Sequence, residues 1–133
     1  MRNKRVVNDR SRVRTKLAPA AIGPYSQAVQ VGDTLYCSGQ IAIDPESGHM
    51  VVDGIESETE RVLENMKGVL TAAGMTFEHV VVCRVYMTDI NDYAQINEVY
   101  SRYFGENAPA REAVGVSALP RGARVEISCV AVK

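Results

Sequence analysis

Two charged side chains stand where charge is costly. Arg111 follows Pro109 and Ala110 and precedes Ala113, Val114, Gly115 and Val116, a stretch that otherwise reads as a buried strand. A guanidinium stays charged at any physiological pH, and its planar fork suits a carboxylate held by two parallel hydrogen bonds. Taken locally, the ordinary reading is an edge-strand arginine in a surface ion pair, with Glu112 to hand. Glu126 is the only acid in the apolar run Val125–Val132. If buried, it must be paired, hydrogen-bonded or protonated, so a structural ion pair and an acid–base role are equally open. The turn "SALPRGA" between the two segments is short. It predicts antiparallel neighbouring strands, with Arg111 and Glu126 near one another.

Two further stretches carry polar groups at breaks in the chain. In "AIGPYSQAV" the Gly23-Pro24 bend is followed by Tyr25 and Ser26. In "CSGQI" Ser38 and Gly39 end a strand, where a hydroxyl and a bare backbone N–H can face a small anion. Other chemistries lack their signatures. His49 and His79 are the only histidines and have no metal-ligand spacing around them. There is no G-x-S-x-G elbow, no G-x-G-x-x-G and no P-loop, so neither a metal nor an organic cofactor is expected. Cys37, Cys83 and Cys129 are an odd count with no paired spacing, which reads as reduced core thiols and an intracellular protein.

The elements that must position these residues are legible from periodicity. Val62, Leu63, Met66, Val69, Leu70 and Ala73 form one helical stripe in "SETERVLENMKGVLTAA", with Ser57 and Glu60 as a capping box and Gly74 as a stop. A second helix spans Asn91 to Phe104, capped by Asn91 or Asp92, with Gly105 after it. Strand candidates are "AVQVG" and "TLYCSGQI", joined by a Gly32-Asp33 turn, then "HVVVCRVYMTD", "REAVGVS" and "RVEISCVAV". The order β-β-β-α-β-α-β-β argues for a single α+β layer, one sheet of about six strands with two helices on one face. The outer face of the last strand carries Val130 and Val132 beside Glu126 and Ser128, so self-association is the natural cover.

The chain of 133 residues fits one domain, and 46% apolar residues suffice for a core. No apolar run is long enough for a membrane span. The net charge of -1 conceals an asymmetry. Residues 1–16 carry Arg2, Lys4, Arg5, Arg10, Arg12, Arg14 and Lys16 against Asp9 alone, while the remainder is acidic. The ordinary reading of residues 1–17 is a solvated arm. An Arg-rich mitochondrial targeting segment and an RNA-binding arm are the alternatives.

Several of these motifs occur together and in order. "APAAIGPYSQAV", "SGQIAIDPESG", "VLENMKGVLTAAG", "VYMTDINDYAQINEVYSRYF", "PAR" and "LPRGARVEISCVAV" closely resemble the reactive intermediate deaminase A (RidA) family, also called the YjgF/UK114 family. The resemblance covers residues 18–133 as a single RidA-like domain. It implies a chorismate-mutase-like fold and a homotrimer with a central barrel and active sites between subunits. It also implies cytoplasmic hydrolysis of 2-iminopropanoate and 2-iminobutanoate to 2-keto acids and ammonia, a form of metabolite damage control, without metal or cofactor. By this resemblance Arg111 is the carboxylate clamp and Glu126 the acid that orients and activates water. Tyr25, Ser38, Gly39 and Asn97 line the pocket. Many bacterial relatives carry a cysteine two residues after the arginine. Here that position is Ala113, so the resemblance implies direct water attack, with Ala113 offering only backbone groups.

Two other functions compete. Some members of that family are described as ribonucleases or translation inhibitors, a role the acidic body disfavours and the basic arm leaves open. A trimer that binds keto acids without turnover would use the same pocket.

Overall fold

The structure is a computed structural model, described here over residues 10–133. Six strands form one sheet: β1 (Arg10–Val13), β2 (Ala28–Val31), β3 (Thr34–Gln40), β4 (Val80–Met87), β5 (Ala110–Gly115) and β6 (Val125–Val132). Helices α1 (Ile55–Ala72) and α2 (Tyr93–Phe104) lie against one face of it. The spatial order is β1-β2-β3-β6-β4-β5. All pairs are antiparallel except β4 with β5, whose parallel pairing requires the crossover through α2.

The core follows from alternation. In β6, Val125, Ile127, Cys129 and Ala131 are buried beneath the helices, and the intervening side chains face the other way. From α1, Val62, Leu63, Met66, Val69 and Leu70 close the layer, and from α2, Ile96, Val99 and Tyr100. The three cysteines align in register across β3, β6 and β4, all buried and free.

Three local expectations need correction. The first helix starts at Ile55 after Gly54, with no side-chain cap, so Ser57 is inside the helix and forms no capping box. Gly74 does follow its end at φ 74°. The second helix starts at Tyr93 after a 3-10 turn at Ile90–Asp92, and the cap belongs to Asp89, whose carboxylate accepts from the Asn91 N–H at 2.9 Å. The third concerns β5 and β6. They run antiparallel, as the short turn suggested, but β4 lies between them. The loop after β5 carries the chain past β4, because β5 is already paired to β4 and the vacant partner of β4 is on its far side.

Part of the basic segment lies within the sheet. Residues 10–13 pair with β2, and Val13 packs against the core while Arg10 and Arg12 stay exposed at the edge. An edge strand tolerates such alternating charge and is protected by it. Arg2, Lys4 and Arg5 fall outside the described residues.

Candidate active site

The Arg111 side chain projects from β5 onto the helix-covered side. Its register partner is Cys83, itself opposite Cys129, and both are buried under the helices. Residues on α2 receive the guanidinium. Nη1 donates to Asn97 Oδ1 at 2.6 Å and Nη2 to the Tyr93 hydroxyl at 2.8 Å. The Tyr100 ring lies beneath, 4.9 Å from its carbon to the ring centroid, and the Tyr93 ring is at 5.5 Å. Asn97 and Tyr93 share a helix face because they are four apart, and Tyr100 follows three later. Every partner is neutral. The local reading of an ion pair with Glu112 does not hold, since Glu112 faces Arg84 at 3.9 Å. Ala113 stands two residues along on the same side, opposite Val85 and against the core.

The Glu126 side chain projects to the opposite, open side of the sheet, in register with Tyr86. It meets β3 at an irregularity. Cys37 and Gln40 pair with Cys129 and Ile127, so β3 carries one residue more than β6 between these pairs, at Ser38-Gly39. Such bulges re-aim side chains, and this one sets Gly39 directly against the Glu126 carboxylate. The Ser38 hydroxyl donates to the Ser26 carbonyl at 2.6 Å, and its N–H to the Gln27 carbonyl at 3.0 Å. Ser38 thus fixes the segment that carries Tyr25, a use of the hydroxyl that the strand-end position alone does not reveal. Tyr25 is half exposed and, with Ile22, Gly39, Pro120, Arg121 and Glu126, lines a cavity of about 610 Å³. Burial pushes the Glu126 carboxyl above the ordinary glutamic acid range.

Two clusters result. Arg111, Asn97 and Ala113 come together at the β5 edge, beside a hollow of about 370 Å³ lined by Asn97, Tyr100, Pro109 and Arg111. Tyr25, Ser38, Gly39 and Glu126 come together on the open side. Within one chain the clusters do not meet: they lie on opposite sides of the sheet with β4 between. The expected closeness of Arg111 and Glu126 therefore fails within the chain, and Arg111 does not offset the desolvation of Glu126 there.

Sequence reasoning missed Tyr93, Tyr100 and Arg121. Helical spacing makes Tyr93 and Tyr100 members of the apolar stripe of α2, yet both contact Arg111. Their spacing from Asn97 was the available signal. Arg121 has φ 58°, a left-handed conformation that is unusual for a residue other than glycine, and donates to the Gly48 carbonyl at 3.3 Å. Cys83 lies beside Arg111 but supplies no thiolate, since burial raises its thiol to about 11. Among the described residues no cluster of His, Cys, Asp and Glu could hold a metal ion.

A single sheet of this order under two helices defines a small α+β domain that known proteins share. The sequence profile of the endoribonuclease L-PSP family matches residues 15–133, and the chain belongs to this family, which includes the RidA proteins. It is 50% identical over 121 residues to a mouse protein named 2-iminobutanoate/2-iminopropanoate deaminase, covering 91% of this chain and 90% of that one. It is also 50% identical to a RutC family protein of Pyrococcus abyssi, over 90% of this chain and 94% of that one. The crystal structure of RidA from the Antarctic bacterium Psychrobacter superposes with a TM-score of 0.89 at 44% identity, covering 92% of this chain and 99% of that one. Fold class and family thus agree with the sequence reading.

Proposed function

We propose that this chain hydrolyses small reactive 2-imino acids such as 2-iminopropanoate and 2-iminobutanoate, releasing the 2-keto acid and ammonia. One observation carries the reading. Arg111 is a permanent cation held only by neutral groups, its fork aimed by Asn97 and Tyr93 and stacked on Tyr100. A guanidinium oriented but not neutralised is prepared for a small carboxylate.

The chemistry then needs Glu126 near the same substrate. The open side of the sheet shows Tyr36, Val114 and Val132 to solvent, which favours burial against further copies of the chain. In a homotrimer, Arg111 of one subunit would face the Glu126 cavity of the next. With the substrate held by its carboxylate, Glu126 takes a proton from water as the oxygen adds to the imine carbon. That proton passes to the nitrogen to give the carbinolamine. Glu126 then takes the proton of the new hydroxyl and delivers it to the same nitrogen as the C=O bond forms and the C–N bond breaks, so that ammonia and the 2-keto acid leave. Tyr25 and the Gly39 backbone border this space, and Ala113 offers no thiol. In this reading residues 18–133 carry the activity and the basic residues 1–17 are separate from it.

The test couples a threonine or serine dehydratase to this protein and follows keto-acid release. Arg111→Ala should leave only the uncatalysed rate. Glu126→Ala should lower kcat by about a hundredfold or more, the range for a positioned acid–base group. Arg111→Ala running near the parent rate in an unchanged assembly would refute the clamp. Binding of keto acid with no acceleration at all would leave a binding protein instead.

A further inference from the structure

A second cavity, of about 510 Å³, adjoins the first across the segment that carries Tyr25. Tyr25, Ala20 and Gln27 border both. The new cavity has a different character. Its charged lining residues are Arg12, Arg14 and Lys16, and no carboxylate lines it. None of these three cations has an ion-pair partner among the described residues, in a chain whose net charge is -1.

The cations are placed by built structure. Arg12 lies on β1, in register with Val29, and its Nε donates to Ser26 Oγ at 2.9 Å, so both Nη groups remain for another acceptor. Thr15, between Arg14 and Lys16, is pinned by Gln27, which is only 4% exposed. Gln27 Oε1 accepts from the Thr15 N–H at 2.7 Å, and Nε2 donates to the carbonyls of Thr15 at 3.0 Å and Pro19 at 2.7 Å. A buried amide so satisfied fixes the backbone on which the two outer cations stand. Val13, Ala20 and Ala21 add an apolar floor.

We propose that this cavity binds a small phosphomonoester. Three cations with no ion-pair partner among the described residues overmatch a single carboxylate, whereas a phosphate dianion accepts from two guanidinium forks and an ammonium at once. The apolar floor suits a short organic body, which favours an ester over the free ion. The shared Tyr25 wall makes the site a neighbour of the Glu126 cavity.

The test reads binding rather than turnover, so it stands or falls apart from the deaminase reading. Glycerol 3-phosphate is titrated into the full chain, with amide NMR shifts and calorimetry as readouts. Saturable shifts at Thr15, Ser26 and Gln27 are expected. The exposed triple variant Arg12→Gln, Arg14→Gln, Lys16→Gln should weaken binding about tenfold or more. A control triple, Lys67→Gln, Arg102→Gln, Lys133→Gln, carries the same charge change elsewhere and should bind as the parent does. Equal loss in both triples would mean a diffuse field, and equal competition by acetate would mean an unselective patch. Either result overturns the site. Binding of an oligoribonucleotide but not the monoester overturns it too, and would make β1 a nucleic-acid track.

Discussion

At Gly39 the strand irregularity and the carboxylate leave no room for a methyl group. A Cβ there would lie 2.8 Å from Glu126 Cδ and closer still to its Oε2. What it meets is the end of a flexible side chain, so the carboxylate moves and the fold persists. Gly39→Ala should therefore melt within about 1 kcal/mol of the parent, a cost of the order of one shifted rotamer, yet lose most imine hydrolysis. A melting curve with a dehydratase-coupled assay separates the two effects. Titration of Glu126 offers a second residue-scale check. Burial raises its carboxyl, so the folded chain binds a proton that the unfolded chain has released. Folding stability from this group is thus present at low pH and lost as pH rises from the ordinary glutamic acid value through the folded one. Carbon NMR should show Glu126 titrating above the ordinary range. If Arg111 of a neighbouring subunit faces it, Arg111→Ala should raise it further, and an unchanged midpoint would rule that contact out.

At the scale of elements, α1 approaches the chain N-terminal to β2 through Gly68. A Cβ at that position would lie 2.7 Å from the Leu17 carbonyl carbon and 2.8 Å from Leu17 Cβ. Alanine is the better helix former by roughly 0.5–1 kcal/mol, but overpacking against backbone costs about 1–3 kcal/mol. Gly68→Ala should therefore destabilise despite its propensity gain, as urea denaturation would show, and a stabilised variant would mean the Leu17 segment yields freely. Sequence reasoning did well on such elements where period decides: the stripe from Val62 to Leu70 and the alternation from Val125 to Ala131 needed no tertiary knowledge. It failed where neighbours are chosen. Nothing in "SALPRGA" tells whether the next strand joins the near or far side of β4, because the two choices differ only in which strand is vacant. The same gap put Arg111 and Glu126 together. Register decides sides, and register belongs to pairs of strands.

At the scale of the whole molecule, the divided site becomes a statement about assembly. If each working site joins Arg111 of one subunit to Glu126 of another, two dead variants can rescue each other. Arg111→Ala and Glu126→Ala chains, unfolded and refolded together in equal amounts, should recover about a quarter of parent activity, since a heterologous interface pairs two intact halves with that frequency. Native mass spectrometry, which resolves the two variant masses, confirms that mixed assemblies formed. No recovery in mixed assemblies would refute a site that joins Arg111 and Glu126 across an interface.

The position of β6 has a consequence for how the molecule comes into being. It separates β3 from β4, so these two strands have no partner in common until a segment about ninety residues beyond β3 arrives, as the pairing of Thr34 with Val132 requires. Such nonlocal closure slows folding. During synthesis, β3 and β4 leave the ribosome before β6, and each waits with the edge that β6 will fill exposed to other chains. The strand that lends Glu126 to the candidate site is also the one that shuts the sheet, so a nascent chain gains its carboxylate and its protection from aggregation in a single event.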